Sequence, residues 1–284
     1  MANKLLVLLG AWMIQFFEIG TIKSFSVLVN HIVKDVDTTI SQLGMFIGMF
    51  HGGILIFGVV ANVLLGRFSP RLLCMVGGLT GSVCLMMCST VQTNIELAVF
   101  LFSSGLGFAM TVLPSQVSVI SAFKGNYTLP FCVSAMGGGV GMMVLPLCTQ
   151  KLLEIYDWRG AMLLLGGLNL HTVVSGAFLQ GKVMQRVSPR DISTTSDTST
   201  SSVSEDAALA ALPLRCWRNV RALILIAYRK SGVSVLGKYP RLTYMIIVSY
   251  LHGITYAGWT IFVISNAEVK GLQEETAVFL SVVG

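Results

Sequence analysis

Between Leu5 and Val33 the chain is apolar for long enough to cross a bilayer, and the run carries two charges, Glu18 and Lys23. Few folds can hold such a segment. A hydrocarbon core of about 30 Å takes roughly 20 helical residues, and only a helix satisfies its own backbone there. A charged side chain at that depth costs roughly 2.5–3.5 kcal/mol on insertion scales, so it faces a protein interior or a water-filled path. The first segment is therefore read as a membrane span lining something that handles charge. Read as a secretory leader it fails, because Gln15 and Glu18 interrupt the apolar region and no small-x-small cleavage site follows.

The rest of the sequence repeats the pattern. Charged residues make up only 11% of the chain, against roughly 25% in soluble domains. Further apolar runs predict spans near 41–66, 72–91, 95–121, 129–152, 160–180 and 242–265, with another beginning near Thr276. The expected fold is an all-α polytopic membrane protein in three parts. Residues 1–180 form an N-terminal six-helix bundle, 181–240 a cytoplasmic linker, and 241–284 the start of a second bundle. The run that is still apolar at Gly284 reads as a truncated second half.

Basic residues set the orientation. With the N-terminus cytoplasmic, fourteen of the 19 Lys and Arg fall on the inner side, four on the outer side, and Lys23 in the membrane. The net charge of +6 is thus explained by topology and anionic lipid, and nucleic acid is not needed as a partner. The sequon Asn126-Tyr127-Thr128 falls on the inner side and should carry no glycan. In the linker, Ser193–Ser204 is almost wholly Ser and Thr and cannot build a core. Leu209–Lys230 mixes apolar and basic residues, and reads either as an amphipathic helix on the inner surface or as a solvated linker.

Six cysteines and four histidines are scattered without metal-ligand spacing, so no metal is expected, nor any cofactor. No nucleophile–base pattern marks an enzyme. Glycines crowd the second to fifth spans, at Gly44, Gly48, Gly52 and Gly53, at Gly77, Gly78 and Gly81, and through Gly137–Gly141. Four-residue spacing of small residues lets helix backbones approach, so these are read chiefly as packing.

Several stretches, in this order, carry a family likeness. They are Ile22-Lys23-Ser24-Phe25, then Leu65-Gly66-Arg67-Phe68-Ser69-Pro70-Arg71 with Gly77-Gly78, and Gly105-Leu106-Gly107-Phe108 with Pro114. Gly137–Gly141 with Pro146 follows, then Asp157-Trp158-Arg159-Gly160 with Gly166-Gly167. The set resembles the monocarboxylate transporters of the major facilitator superfamily over about residues 10–180. It departs from them in lacking the acidic-Gly-Gly-Trp signature before the first span, and in having Asn126, Tyr127, Phe131 and Cys132 where arginines and Asn-Gly are usual.

The resemblance implies alternating-access transport of a small organic anion across the plasma membrane, with proton symport and a single-span ancillary protein as partner. It implies that Lys23 holds the anion, and that an acidic residue and an arginine in the eighth span complete the site. Met45, Met49 and Phe50 are candidate cavity-lining residues, since Met and aromatics suit adaptable apolar sites. Glu18 is read either as a coupling-proton carrier or as a buried structural carboxyl. Five helical steps put it about 140° from Lys23, so either the helix is distorted near Gly20 or the two have different partners. Arg67, Arg71 and Arg159 are candidates for gating or for anchoring turns. The competing expectation is a truncated, non-transporting membrane protein that associates with a full-length transporter.

Overall fold

The computed structural model of the protein describes residues 2–36, 38–123 and 125–179, together with Tyr244 and Lys270. The expectations for the linker and for the second bundle lie outside the described residues. Among those described, every regular element is helical: α1 (Ala2–Asp35), α2 (Ile40–Leu65), α3 (Pro70–Met87) with a 3-10 turn at Cys88–Thr90, α4 (Asn94–Ala122), α5 (Thr128–Asn169) and α6 (His171–Phe178). Four apolar stretches, Asn3–Asp35, Pro70–Thr90, Asn94–Ala122 and Thr128–Phe178, are long enough to cross a membrane by length and composition.

Local sequence starts these helices where they start. Thr39 and Gln42 form a reciprocal capping box on α2, with Gln42 N–H donating to Thr39 Oγ1 at 3.2 Å and Thr39 N–H to Gln42 Oε1 at 3.1 Å. Thr93 and Glu96 repeat the device on α4. Ser69 caps α3, and Pro70 at its first position has no N–H to leave unsatisfied. Each box is a Thr-x-x-Gln or Thr-x-x-Glu preceding an apolar run, and it fixes the span end to within a residue.

The fifth and sixth expected spans, near 129–152 and 160–180, lie on either side of a kink: the first helical stretch of α5 runs on to Asp157, which has φ 59° and ψ 174°, and a second follows it. That backbone is nearly exclusive to glycine, and it turns the chain within one residue. Before the turn, α5 climbs beside α1: Gly137 meets Trp12, Gly138 meets Ile19, and Gly141 meets Phe16 and Gly20. After it, the chain descends antiparallel to α3, with Gly166 against Met86, Gly78 against Thr172 and Gly176 against Cys74.

The core fills the space among α1, α2, α4 and the chain after Asp157. Phe25, Phe50 and Phe108 form a line of edge-to-face rings with centroids 5.5 and 6.0 Å apart, a geometry aromatic rings favour. Trp158, Ala161, Met162 and Leu165 are all buried beside them. A buried hydroxyl ties α4 to α3, where Ser104 Oγ donates to the Gly81 carbonyl at 2.9 Å.

Candidate functional site

The centre of α1 is polar along four residues that the flanking sequence would make apolar. Thr21 Oγ1 donates to the Phe17 carbonyl at 2.6 Å, Ser24 Oγ to the Gly20 carbonyl at 2.9 Å, and Ser26 Oγ to the Lys23 carbonyl at 2.6 Å. These bonds let small hydroxyls sit within the span, and they leave the helix unbroken from Ala2 to Asp35. Of the two readings of Glu18 and Lys23, the undistorted helix selects separate faces.

Lys23 is 5% exposed and Glu18 is 4% exposed. Among the described residues, neither the ammonium of Lys23 nor the carboxylate of Glu18 has an ion-pair partner. Glu18 Oε2 is buried without a hydrogen bond. Helical rotation puts Lys23 about 20° from Trp12 and Phe16, on the side of α1 that turns to α5. Buried charges are normally paired, and Lys23 has no such pair among the described residues.

The face holding Thr21 is closed. Asn169, fully buried, donates from Nδ2 to Thr21 Oγ1 and to the Leu165 carbonyl, both at 2.8 Å, and Phe17 stacks on His171 with centroids 5.6 Å apart. Neither Thr21 nor Asn169 stood out in the sequence. A polar residue on each of two apolar runs was the available signal.

The three α2 candidates separate. Phe50 is fully buried between Phe25 and Phe108, and two helical steps put Phe25 about 200° from Lys23. Phe50 is thus packed into the core behind α1 and is not brought to the lysine's face. Met45 and Met49 are 58% and 42% exposed, on the side of α2 turned away from that core. Proximity along one helix grouped these three in the sequence, whereas a 3.6-residue period divides them.

The three arginines separate too. Arg67 and Arg71 are exposed at the turn between α2 and α3. Arg159 belongs to the opposite end of the bundle. It makes a 3.0 Å ion pair with Asp35, through Nη2 and Oδ2, and its Nε donates to the same oxygen at 3.2 Å. Its Nη1 donates to the carbonyls of Val91 at 2.8 Å and Ser89 at 3.3 Å. Trp158 Nε1 donates to Asp35 Oδ2 at 3.0 Å, and the guanidinium lies 4.7 Å from the Trp158 ring centre. The ion pair is half-exposed and by itself is worth about 0–1 kcal/mol. The backbone carbonyls and the indole make it a junction of three chain segments. Asp35 was missed in the sequence, because a carboxylate at a span end looks like any solvated one.

Among the described residues no three His, Cys, Asp or Glu side chains come together as metal ligands would.

The model of the Major Facilitator Superfamily matches residues 11–284. Curated relatives include monocarboxylate transporter 12-B of Danio rerio, 32% identical over 44% of this chain and 27% of its own length. Monocarboxylate transporter 3 of Gallus gallus is 28% identical over 62% of this chain and 32% of its own length. Monocarboxylate transporter 13 of Bos taurus is 29% identical over 62% and 41%. The matches thus take in well under half the length of these relatives.

Proposed function

The chain belongs to the Major Facilitator Superfamily, and from that premise we propose that it moves a small monocarboxylate anion across the plasma membrane by alternating access. Two helical halves rocking about a central site is the general scheme for such transporters. The residues described here form one such half.

The observation that carries the reading is Lys23. The residue is 5% exposed at mid-helix, with no ion-pair partner among the described residues. A carboxylate in a low-dielectric cavity is attracted to it far more strongly than in water, and binding also relieves the cost of an unpaired charge. Glu18 is the proposed proton carrier. It is buried on another face of the same helix with one oxygen unbonded, so a proton there would cancel a buried charge without competing for the anion at Lys23. The N-terminus is proposed to be cytoplasmic, from the charge asymmetry, and a single-span ancillary protein is proposed as partner from the likeness to the monocarboxylate transporters.

The test is uptake of a panel of labelled organic anions by cells expressing the protein, with surface amount measured. Lys23→Gln keeps a polar side chain, one atom shorter, but removes the charge. A hydrogen bond to a charged group contributes roughly 1.5–3 kcal/mol, so apparent affinity should weaken tenfold or more. A variant at normal surface level with unchanged affinity would sink the reading.

A further inference from the structure

A cluster around Arg159 closes the end of the bundle away from Arg67 and Arg71. Gating was one sequence reading of Arg159, but its contacts are those of a fixed joint. The guanidinium donates four hydrogen bonds: two to Asp35 at the end of α1, and two to the carbonyls of Ser89 and Val91 where α3 ends. Those carbonyls lie beyond the last turn of α3, where a helix leaves acceptors unsatisfied. Trp158, 1% exposed, anchors the same turn and adds a third donor to Asp35 Oδ2. Every partner lies in the first 179 residues, and none is on a segment that would have to part from the others when two halves rock. Opening the cluster would break the contacts to a carboxylate and two backbone carbonyls together.

We propose that Asp35, Trp158 and Arg159 form a clamp that stays shut throughout the cycle, and that Arg159 is a positioning residue which fixes the height and rotation of α1, and hence the place of the Lys23 ammonium. Lys23 lies twelve residues along the same unbroken helix, so a shift at Asp35 is carried to it rigidly. The effect on affinity rests on the transport reading; the clamp itself does not.

The contacts also distinguish a clamp from an ordinary ion pair. In an ion pair the charges can be exchanged. Here an arginine at position 35 would start from the wrong helix for Ser89 and Val91, so the double variant Asp35→Arg with Arg159→Asp should not recover what Arg159→Ala loses. Arg159→Lys should lose nearly as much, because one ammonium cannot cover three separated acceptors along a planar fork. Asp35→Asn should lose less, since its amide oxygen still accepts from Trp158 and Arg159.

The experiment is thermal unfolding of the detergent-purified full chain, followed by kinetics of labelled pyruvate uptake. The expected order of melting temperature is wild type, Asp35→Asn, then Arg159→Lys together with the charge exchange. Full recovery by the exchange, or an Arg159→Lys protein that melts like wild type, overturns the clamp. Should the Arg159 variants not accumulate, Trp158→Phe keeps the ring and deletes only the N–H; it should melt below wild type, and an unchanged melting point overturns the proposal. In uptake, Arg159→Lys should raise KM roughly tenfold, as displacement of a binding group does, with maximal rate per surface copy retained. A lowered maximal rate with unchanged KM marks a gate and overturns positioning. If wild type takes up no anion, the transport reading fails, and the melting series still decides the clamp.

Discussion

Helices α1 and α2 are both long apolar runs, α1 with two glycines and α2 with five, yet they are held in opposite ways. A side chain added at Gly20 of α1 would come within 2.7 Å of the Gly141 carbonyl, and one at Gly10 within 2.7 Å of the Ser175 carbonyl. The Trp12 and Phe16 carbonyls of α1 in turn lie against Gly137 and Gly141 of α5. On α2, by contrast, Gly48, Gly52 and Gly58 have no described neighbour within 4 Å. Glycine in α1 and in its partner α5 lets backbones touch, and most glycine in α2 does not do so among the described residues. The difference bears on function, because a charge can be held at a fixed place only by a helix that cannot slide. Lys23 is on the gripped helix, and Met45 and Met49 are on the open face of the other.

The largest effect that tests this contrast is expected at the α1–α5 seam. Gly141→Leu drives a branched side chain into the backbone of Phe16. Backbone on both sides cannot yield as a flexible side chain could, and overpacking of this kind costs up to about 3 kcal/mol or more. Fluorescence-detected size-exclusion of the tagged chain should show loss of the monodisperse peak. A stable, well-behaved Gly141→Leu protein would mean that α1 is not gripped there.

Next comes a place where α2 is held tightly. Gly105 of α4 faces the backbone of Phe50. Gly105→Ala adds a single methyl, so a loss of about 1–3 kcal/mol is expected. Melting of the purified variant is the measurement, and a wild-type melting point would show α2 to be loosely held there.

How much of this could be read in advance differs from residue to residue. The membrane class and the inward placement of Lys23 follow from apolar run length, since a charge is too costly to leave facing hydrocarbon. The starts of α2 and α4 were expected near 41 and 95 and fall at Ile40 and Asn94; the capping pairs Thr39–Gln42 and Thr93–Glu96 that set them are local signals the apolar runs alone do not use. A turn near Asp157-Trp158-Arg159-Gly160 was legible from the gap between two apolar runs, but not that Asp157 alone makes it, because an aspartate in a glycine conformation contradicts its own propensity. Phe50 was misplaced for the opposite reason. Its neighbours Met45 and Met49 share its chemistry, and only the partner helices decide which side of α2 faces the core. The Asp35–Arg159 pair spans 124 positions in sequence, and nothing local records such a contact.

A smaller effect is expected from changing the head group on the gripped helix while keeping its charge. Lys23→Arg puts a broad planar fork where a compact ammonium stood, in a place only 5% exposed. Anion affinity should fall about tenfold, roughly 1.4 kcal/mol, with surface level unchanged. Concentration dependence of pyruvate uptake measures it. Wild-type affinity in Lys23→Arg would show that the helix leaves room to readjust around the charge, which would blunt the contrast with α2.

The smallest effect is expected on the open face of α2, and it is the control that gives the others meaning. Gly48 has no described atom within 4 Å of where a Cβ would stand, so Gly48→Ala meets no described obstacle. The added methyl also removes some backbone freedom from the unfolded helix, which favours alanine slightly. The melting temperature should therefore stay at the wild-type value or rise, by no more than the roughly 1 kcal/mol that separates glycine from alanine in a helix. The comparison with Gly141→Leu must use the same detergent and tag, and Gly48→Leu extends it by matching the side chain. If Gly48→Leu is also tolerated, the two helices differ as the contacts say. If it unfolds the protein as Gly141→Leu does, a partner from outside the described residues lies against α2, and this helix is gripped as firmly as α1.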